Sequence, residues 1–288
     1  MKLAYPVIDY WQLLLLGAIA GFTIFLGLPL ATLQNLSSKK KGFLNAFALG
    51  ILVFLIVDVF SHAWESSSSA ATDAFSGKAS TGDAVIDLVA MFGGIAIGLL
   101  GLVWYETKMM KKSVPEILSL ENIKAGDGHL HQLFHEANAY KLAMMIAIGI
   151  GAHNFSEGLA IGQSYVAGEI GLAVLLIIGF GAHNTTEGFG IAGPLTGLLK
   201  KPTVRFLILA GLVGGGPTFI GTVLGSLWFS SITYILFLSI AGGALIYVSM
   251  LMYNSGRKQT TNAILMIGIF VGLCAGFGTD LIVSLGGA

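Results

Sequence analysis

Eight stretches of about 20 mainly apolar residues recur along the chain, separated by shorter polar segments, at about 10–32, 43–64, 85–105, 140–162, 170–193, 205–228, 232–253 and 263–283. A helix of that length crosses the hydrocarbon core of a bilayer. The pattern therefore predicts an all-α polytopic membrane protein with eight transmembrane helices in one domain spanning residues 1–288. The first stretch resembles a secretory signal only superficially. Its leading segment has one lysine, and its apolar run continues to Leu30 before Lys39, Lys40 and Lys41 follow. It reads as a true first helix. The two long connections, Ser66 to Asp83 and Glu106 to Ala139, lack the periodicity of a domain core and read as loops.

Composition agrees with immersion in lipid. Hydrophobic residues make up 55% of the chain and charged residues only 10%, against about 25% charged in soluble domains, and the mean hydropathy is +0.83. A formal net charge of zero offers nothing to nucleic acid. The single cysteine, Cys274, excludes an internal disulfide framework or a thiolate cluster. Forty glycines are about twice the usual share and predict close helix packing. Of the 15 basic residues, 13 follow the first, third, fifth and seventh stretches, and only Lys2 and Lys78 fall on the other side. Lysine and arginine collect in cytoplasmic loops, so both termini are expected outside the cytoplasm.

Against this apolar background, one polar motif occurs twice. Gly149-Ile150-Gly151-Ala152-His153-Asn154-Phe155-Ser156-Glu157-Gly158 is echoed thirty residues later by Gly179-Phe180-Gly181-Ala182-His183-Asn184-Thr185-Thr186-Glu187-Gly188. A carboxylate at the centre of a membrane helix costs about 2.5–3.5 kcal/mol on insertion scales, which makes function the default reading of both. At 100° per residue, with His153 set at 0°, Asn154 falls near 100° and Glu157 near 40°, so the carboxylate stands between imidazole and amide. Such a face can serve adjacent cations, with the glutamate bridging. A lone intramembrane His or Asn is often just a hydrogen-bond partner between helices. Two carboxylates brought together without a cation, however, repel until one protonates. A divalent cation satisfies all six groups.

Other polar residues lie along the presumed path. Asp58 and His62 share a face of the second stretch, with Glu65 three residues further on. Asp58 is deep enough for a pathway role with His62, whereas Glu65 reaches the outer headgroups. Asp280 is near enough to the outer end for solvation to explain it. Between stretches three and four, His129, His131 and His135 can capture metal weakly, and reading them as solvated loop histidines is an equal alternative. Gly214-Gly215-Gly216-Pro217 is either a broken helix with carbonyls on the pathway or a packing kink, with the kink favoured.

The doubled motif resembles the fourth and fifth transmembrane helices of the ZIP family of zinc and iron transporters, whose signatures contain HN-x-x-E/D-G and H-x-x-x-E-G. The resemblance implies an eight-helix bundle in a 3+2+3 arrangement, with spans one to three and six to eight as inverted repeats around the central pair. It also implies import of divalent metal into the cytoplasm. Carried over, the metal ligands are His153, Asn154, Glu157, His183, Asn184 and Glu187. Three features depart from the family pattern: Ser156 and Thr186 stand where many relatives have proline, Asn184 stands where Asp can occur, and Phe206 to Trp228 holds no acid. With only two carboxylates, one ion is expected to bind tightly through His153, Glu157, His183 and Glu187. A second is expected to bind weakly through Asn154 and Asn184.

The expected function is transport of Zn²⁺, or of Fe²⁺, Mn²⁺ or Co²⁺, with the ion as cargo and no prosthetic group. Donors of this kind favour neither Cu(I) nor Ca²⁺. The partners expected are metal ions and the lipid bilayer, with room for a homodimer and none for nucleic acid, in the plasma membrane of a prokaryote. Two rivals are an intramembrane zinc hydrolase, for which no HExxH is present, and a proton-coupled carrier of another solute.

Overall fold

The computed structural model describes residues 9–110, 128–166, 170–228 and 230–285. Among them there are helices and no strands. Helix α1 (Tyr10–Phe22) leads into α2 (Ile24–Gly27) and a 3-10 segment, Leu28–Thr32; α3 (Ser38–Phe75), α4 (Thr81–Trp104), α5 (Gly128–Val166), α6 (Ile170–Ala192), α7 (Val204–Leu227), α8 (Ser231–Gln259) and α9 (Asn262–Leu285) follow. Seven helical segments of the described residues are long and apolar enough to cross a membrane: Tyr10–Thr32, Ser38–Phe75, Thr81–Lys108, Glu136–Val166, Val204–Leu227, Ser231–Lys258 and Asn262–Leu281. Helix α6, 23 residues long, carries the second motif.

Helix starts follow local capping chemistry. Asp9 accepts hydrogen bonds from the backbone of Trp11 and Gln12, Ser80 from Gly82 and Thr203 from Phe206, each satisfying first-turn donors that a helix leaves unpaired. Span one breaks at Thr23, whose hydroxyl turns back to the Ala20 carbonyl at 2.7 Å, and ends in a 3-10 segment begun by Leu28-Pro29.

The two expected loops are shorter than the sequence suggests. Helix α3 continues through the Ser-rich stretch to Phe75. The hydroxyls of Ser67 and Thr72 bond to carbonyls four residues back, at 2.8 Å each, so these polar side chains are satisfied within the helix instead of competing with it. At the other connection, a π-helical turn, Tyr105–Met110, extends α4, and residues 128–139 already belong to α5.

Packing is close because glycines face backbone. A Cβ on Gly158 would stand 2.2 Å from the Thr218 carbonyl oxygen, and one on Gly221 2.3 Å from that of Phe155, which fixes α5 against α7. Gly188 and Gly27 form the matching seam between α6 and α2, with Gly188 2.2 Å from the Ile24 carbonyl oxygen by the same measure. Elsewhere α4 packs on α8, and α3 on α8 and α9. The largest fully buried side chains gather in the centre: Ile51, Leu52, Phe54 and Leu55 of α3, Met145, Ile146 and Ile150 of α5, and Ile191 of α6. Large apolar side chains such as Val89, Phe92, Leu100, Ile220 and Phe270 point outward, as a lipid-facing surface requires.

Candidate metal centre

Both motifs lie in unbroken helix, within α5 and α6, and their six polar side chains are all buried. Glu157 Oε1 is 3.4 Å from His153 Nε2 and 3.9 Å from His183 Nε2; Glu187 Oε1 is 4.0 Å and 3.7 Å from the same two nitrogens. These separations are longer than a good hydrogen bond. The His153–Glu157 separation equals the spacing of tetrahedral ligands about 2.1 Å from zinc, which stand about 3.4 Å from one another, and the other three are longer. His153 Nε2, His183 Nε2, Glu157 Oε2 and Glu187 Oε1 have no hydrogen-bond partner. Buried polar atoms left so are rare in native proteins and call for an explanation.

Asn154 orients Glu187, and Asn184 ties α6 to α1. Asn154 Nδ2 donates to Glu187 Oε2 at 2.8 Å and to the Gly214 carbonyl of α7 at 3.0 Å; Asn184 Nδ2 donates to the Ala20 carbonyl of α1 at 2.8 Å. With each amide nitrogen held, the Oδ1 atoms of both remain buried and unpartnered. Phe54 packs edge-on against the His183 ring, 5.7 Å between centroids.

Helix α3 adds a third carboxylate. Asp58 Oδ2 lies 3.9 Å from His153 Nε2, and Asp58, His153 and His183 each offer a ligand atom within 4.8 Å of the others. The other oxygen of Asp58 lies 3.5 Å from His62 Nδ1, and His62 is half exposed, at 51% of its side chain against 13% for Asp58. These residues line a cavity of about 200 Å³ together with Ser156, Tyr234, Asp280 and Ser284. The pairing of Asp58 with His62 is thus present, while Glu65 is exposed. Asp280 differs from its expected place: it faces this cavity because α9 packs beside α3 and α6. Tyr234 and Ser156 carried no sequence signal beyond Ser156 lying inside the motif.

Helix α7 runs unbroken through Pro217. Gly214 and Gly215 pack against Ile24, as a packing role requires, yet the Gly214 carbonyl also reaches the centre through Asn154. Within the helix, the Thr186 hydroxyl donates to the His183 carbonyl at 2.7 Å. His129, His131 and His135 fall in the first turns of α5, and their side chains lie outside the described residues.

A sequence model of the ZIP zinc transporter family matches residues 105–283, more than half of the chain and both copies of the motif. The chain belongs to the ZIP family. No curated protein matches it. ZIP proteins are metal transporters, which makes a divalent ion the substrate of this chain and accounts for a buried His and carboxylate cluster in a protein built of apolar helices.

Proposed function

We propose that this ZIP protein carries Zn²⁺ into the cytoplasm through the centre between α5 and α6. His153, Glu157, His183 and Glu187 hold the ion, and Asp58 with His62 delivers it from outside. The observation that carries the reading is this buried set of two imidazoles and two carboxylates 3.4–4.0 Å apart, in which both Nε2 atoms and one oxygen of each carboxylate lack a hydrogen-bond partner. Asp58 supplies negative charge beyond the two motif glutamates. The amide oxygens of Asn154 and Asn184 supply neutral donors for a second, weaker ion. A cavity of about 200 Å³ has room for about six waters at about 30 Å³ each. That suits a hydrated ion better than an acyl substrate, which weighs against a hydrolase.

Among the described residues, polar access to the centre lies on one side. His62, Tyr234 and Ser284 line the cavity on the side expected to be outside. Toward the lysine-rich end, Met145, Ile146, Ile150 and Ile191 fill the core. An ion leaving that way requires those side chains to part, so this arrangement is the one that receives metal. Movement of one helix group against the other then exposes the centre to the inner side.

We further infer eight spans, α6 included, in an inverted 3+2+3 repeat. Packing partners support it by occurring in matched pairs. Asn154 bonds Gly214 of α7 and Asn184 bonds Ala20 of α1, one residue before Gly215 and Gly21, which meet each other. The seam of Gly158 and Gly221 corresponds to that of Gly188 and Gly27, and Gly50 on the Ile269 carbonyl to Gly243 on the Ile95 carbonyl. Reconstituted protein should take up ⁶⁵Zn²⁺ down its gradient, in contrast to protein-free liposomes. Uptake equal to protein-free liposomes would sink the proposal.

A further inference from the structure

At the lysine-rich end, a second cavity of about 570 Å³ has, among the described residues, no acid-rich lining of the kind a released cation would favour. Among the described residues, three lysines, Lys41, Lys141 and Lys258, line it with one carboxylate, Glu106. Lys141 Nζ is 2.7 Å from Glu106 Oε1, and the Tyr247 hydroxyl also donates to Glu106, so the single acid is already engaged at the top of α4. Formal charge therefore leaves the described lining positive by two. A divalent ion is repelled there, and an anion is attracted.

The wall is apolar where it runs inward. Leu142, Met145 and Leu251 form that part of the lining, with Met145 fully buried. Lys41 is held against a fixed platform. Gly197 has φ +69°, and a Cβ there would stand 2.4 Å from Lys41 Cε, so the absence of a side chain lets the lysine stem lie across the turn. That turn is tied to the α2–α3 connection by Gly197 N donating to the Leu33 carbonyl at 2.9 Å and Gln34 Nε2 to that of Leu199 at 3.0 Å.

We propose that this cavity binds a phosphate group: Lys41 and Lys258 take its oxygens, and the apolar wall accommodates the chain of an anionic phospholipid. Volume, cationic rim and apolar wall together fit an amphiphilic anion better than a bare ion. The cytoplasmic leaflet, where lysine-rich ends reside, is rich in such lipids. The same lysines would also accept free phosphate, and the test separates the two sources.

Full-length protein, delipidated in uncharged detergent, is titrated with phosphatidylglycerol, phosphatidylcholine or inorganic phosphate and read by native mass spectrometry. Wild type should retain phosphatidylglycerol and not phosphatidylcholine. The pair Lys41→Gln and Lys258→Gln should weaken retention on the order of thirty-fold. The pair Lys39→Gln and Lys40→Gln removes equal charge from the same end of α3, outside the cavity lining, and should retain the lipid. Displacement by millimolar phosphate would make free phosphate the source, and no displacement would make it the lipid. Equal losses in the two pairs, or equal retention of phosphatidylcholine, overturns the site. Zinc binding measured on the same variants should be unchanged, which shows that they are folded and keeps a failure here separate from the transport reading.

Discussion

Glu157→Gln keeps the shape of a side chain whose Oε1 lies 3.4 Å from His153 Nε2 and 3.9 Å from His183 Nε2, while deleting its charge. Removing one partner from a buried charge set costs about 3–5 kcal/mol, which raises the zinc Kd by between about a hundredfold and a few thousandfold. The consequence for stability is specific. With free zinc at about 100 times the wild-type Kd, wild type gains about 2.7 kcal/mol and the variant about 0.4 kcal/mol or less. Without metal the order changes, because Glu157 and Glu187 face the same two imidazoles and repel each other when both are ionised. Metal-free Glu157→Gln should then unfold no earlier than metal-free wild type. Thermal unfolding in detergent with and without zinc reads both effects, and ⁶⁵Zn²⁺ uptake at matched reconstitution reads transport. Wild-type uptake together with a wild-type zinc shift would refute the reasoning.

Asp58→Asn should raise the KM for zinc uptake about tenfold while Glu65→Gln, altering an exposed carboxylate, leaves it near wild type; initial rates across zinc concentrations compare them. Gly158→Ala places a Cβ 2.2 Å from the Thr218 carbonyl oxygen and should lower stability by about 1–3 kcal/mol through overpacking. Gly216→Ala meets nothing within 4 Å and should be neutral or stabilising by up to about 1 kcal/mol, as measured by thermal unfolding. Replacing His129, His131 and His135 together by Ala should change the rate or metal sensitivity of uptake without abolishing it; a transport-dead triple variant would make that segment an obligatory part of the path.

The transmembrane class and the two polar motifs that meet in one buried cluster were legible because both rest on local pattern: apolar runs of helix-spanning length, and His, Asn and Glu spaced to share one helix face. Ends of elements were less legible. Ser67 and Thr72 read as loop residues by composition, but their hydroxyls bond back to their own helix and extend α3 to Phe75. Residues that join the centre from other helices were hardest to see. Asp58 was recognisable by depth, whereas Asp280 has the same chemistry nearer a helix end, and only the packing of α9 beside α3 and α6 turns it toward the cavity. Tyr234 and the Gly214 carbonyl carry no motif at all; their place follows from helix contacts between residues far apart in sequence.

The central claim is that one tightly held ion sits between the two motif copies. Anomalous scattering at the zinc edge, from crystals grown with limiting zinc, locates it directly. The account predicts a single peak with His153 Nε2, His183 Nε2 and carboxylate oxygens of Glu157 and Glu187 at about 2.0–2.2 Å, and a second, weaker peak near the amide oxygens of Asn154 and Asn184 only in excess zinc. Two peaks of equal strength at limiting zinc, or a first peak away from α5 and α6, would contradict it.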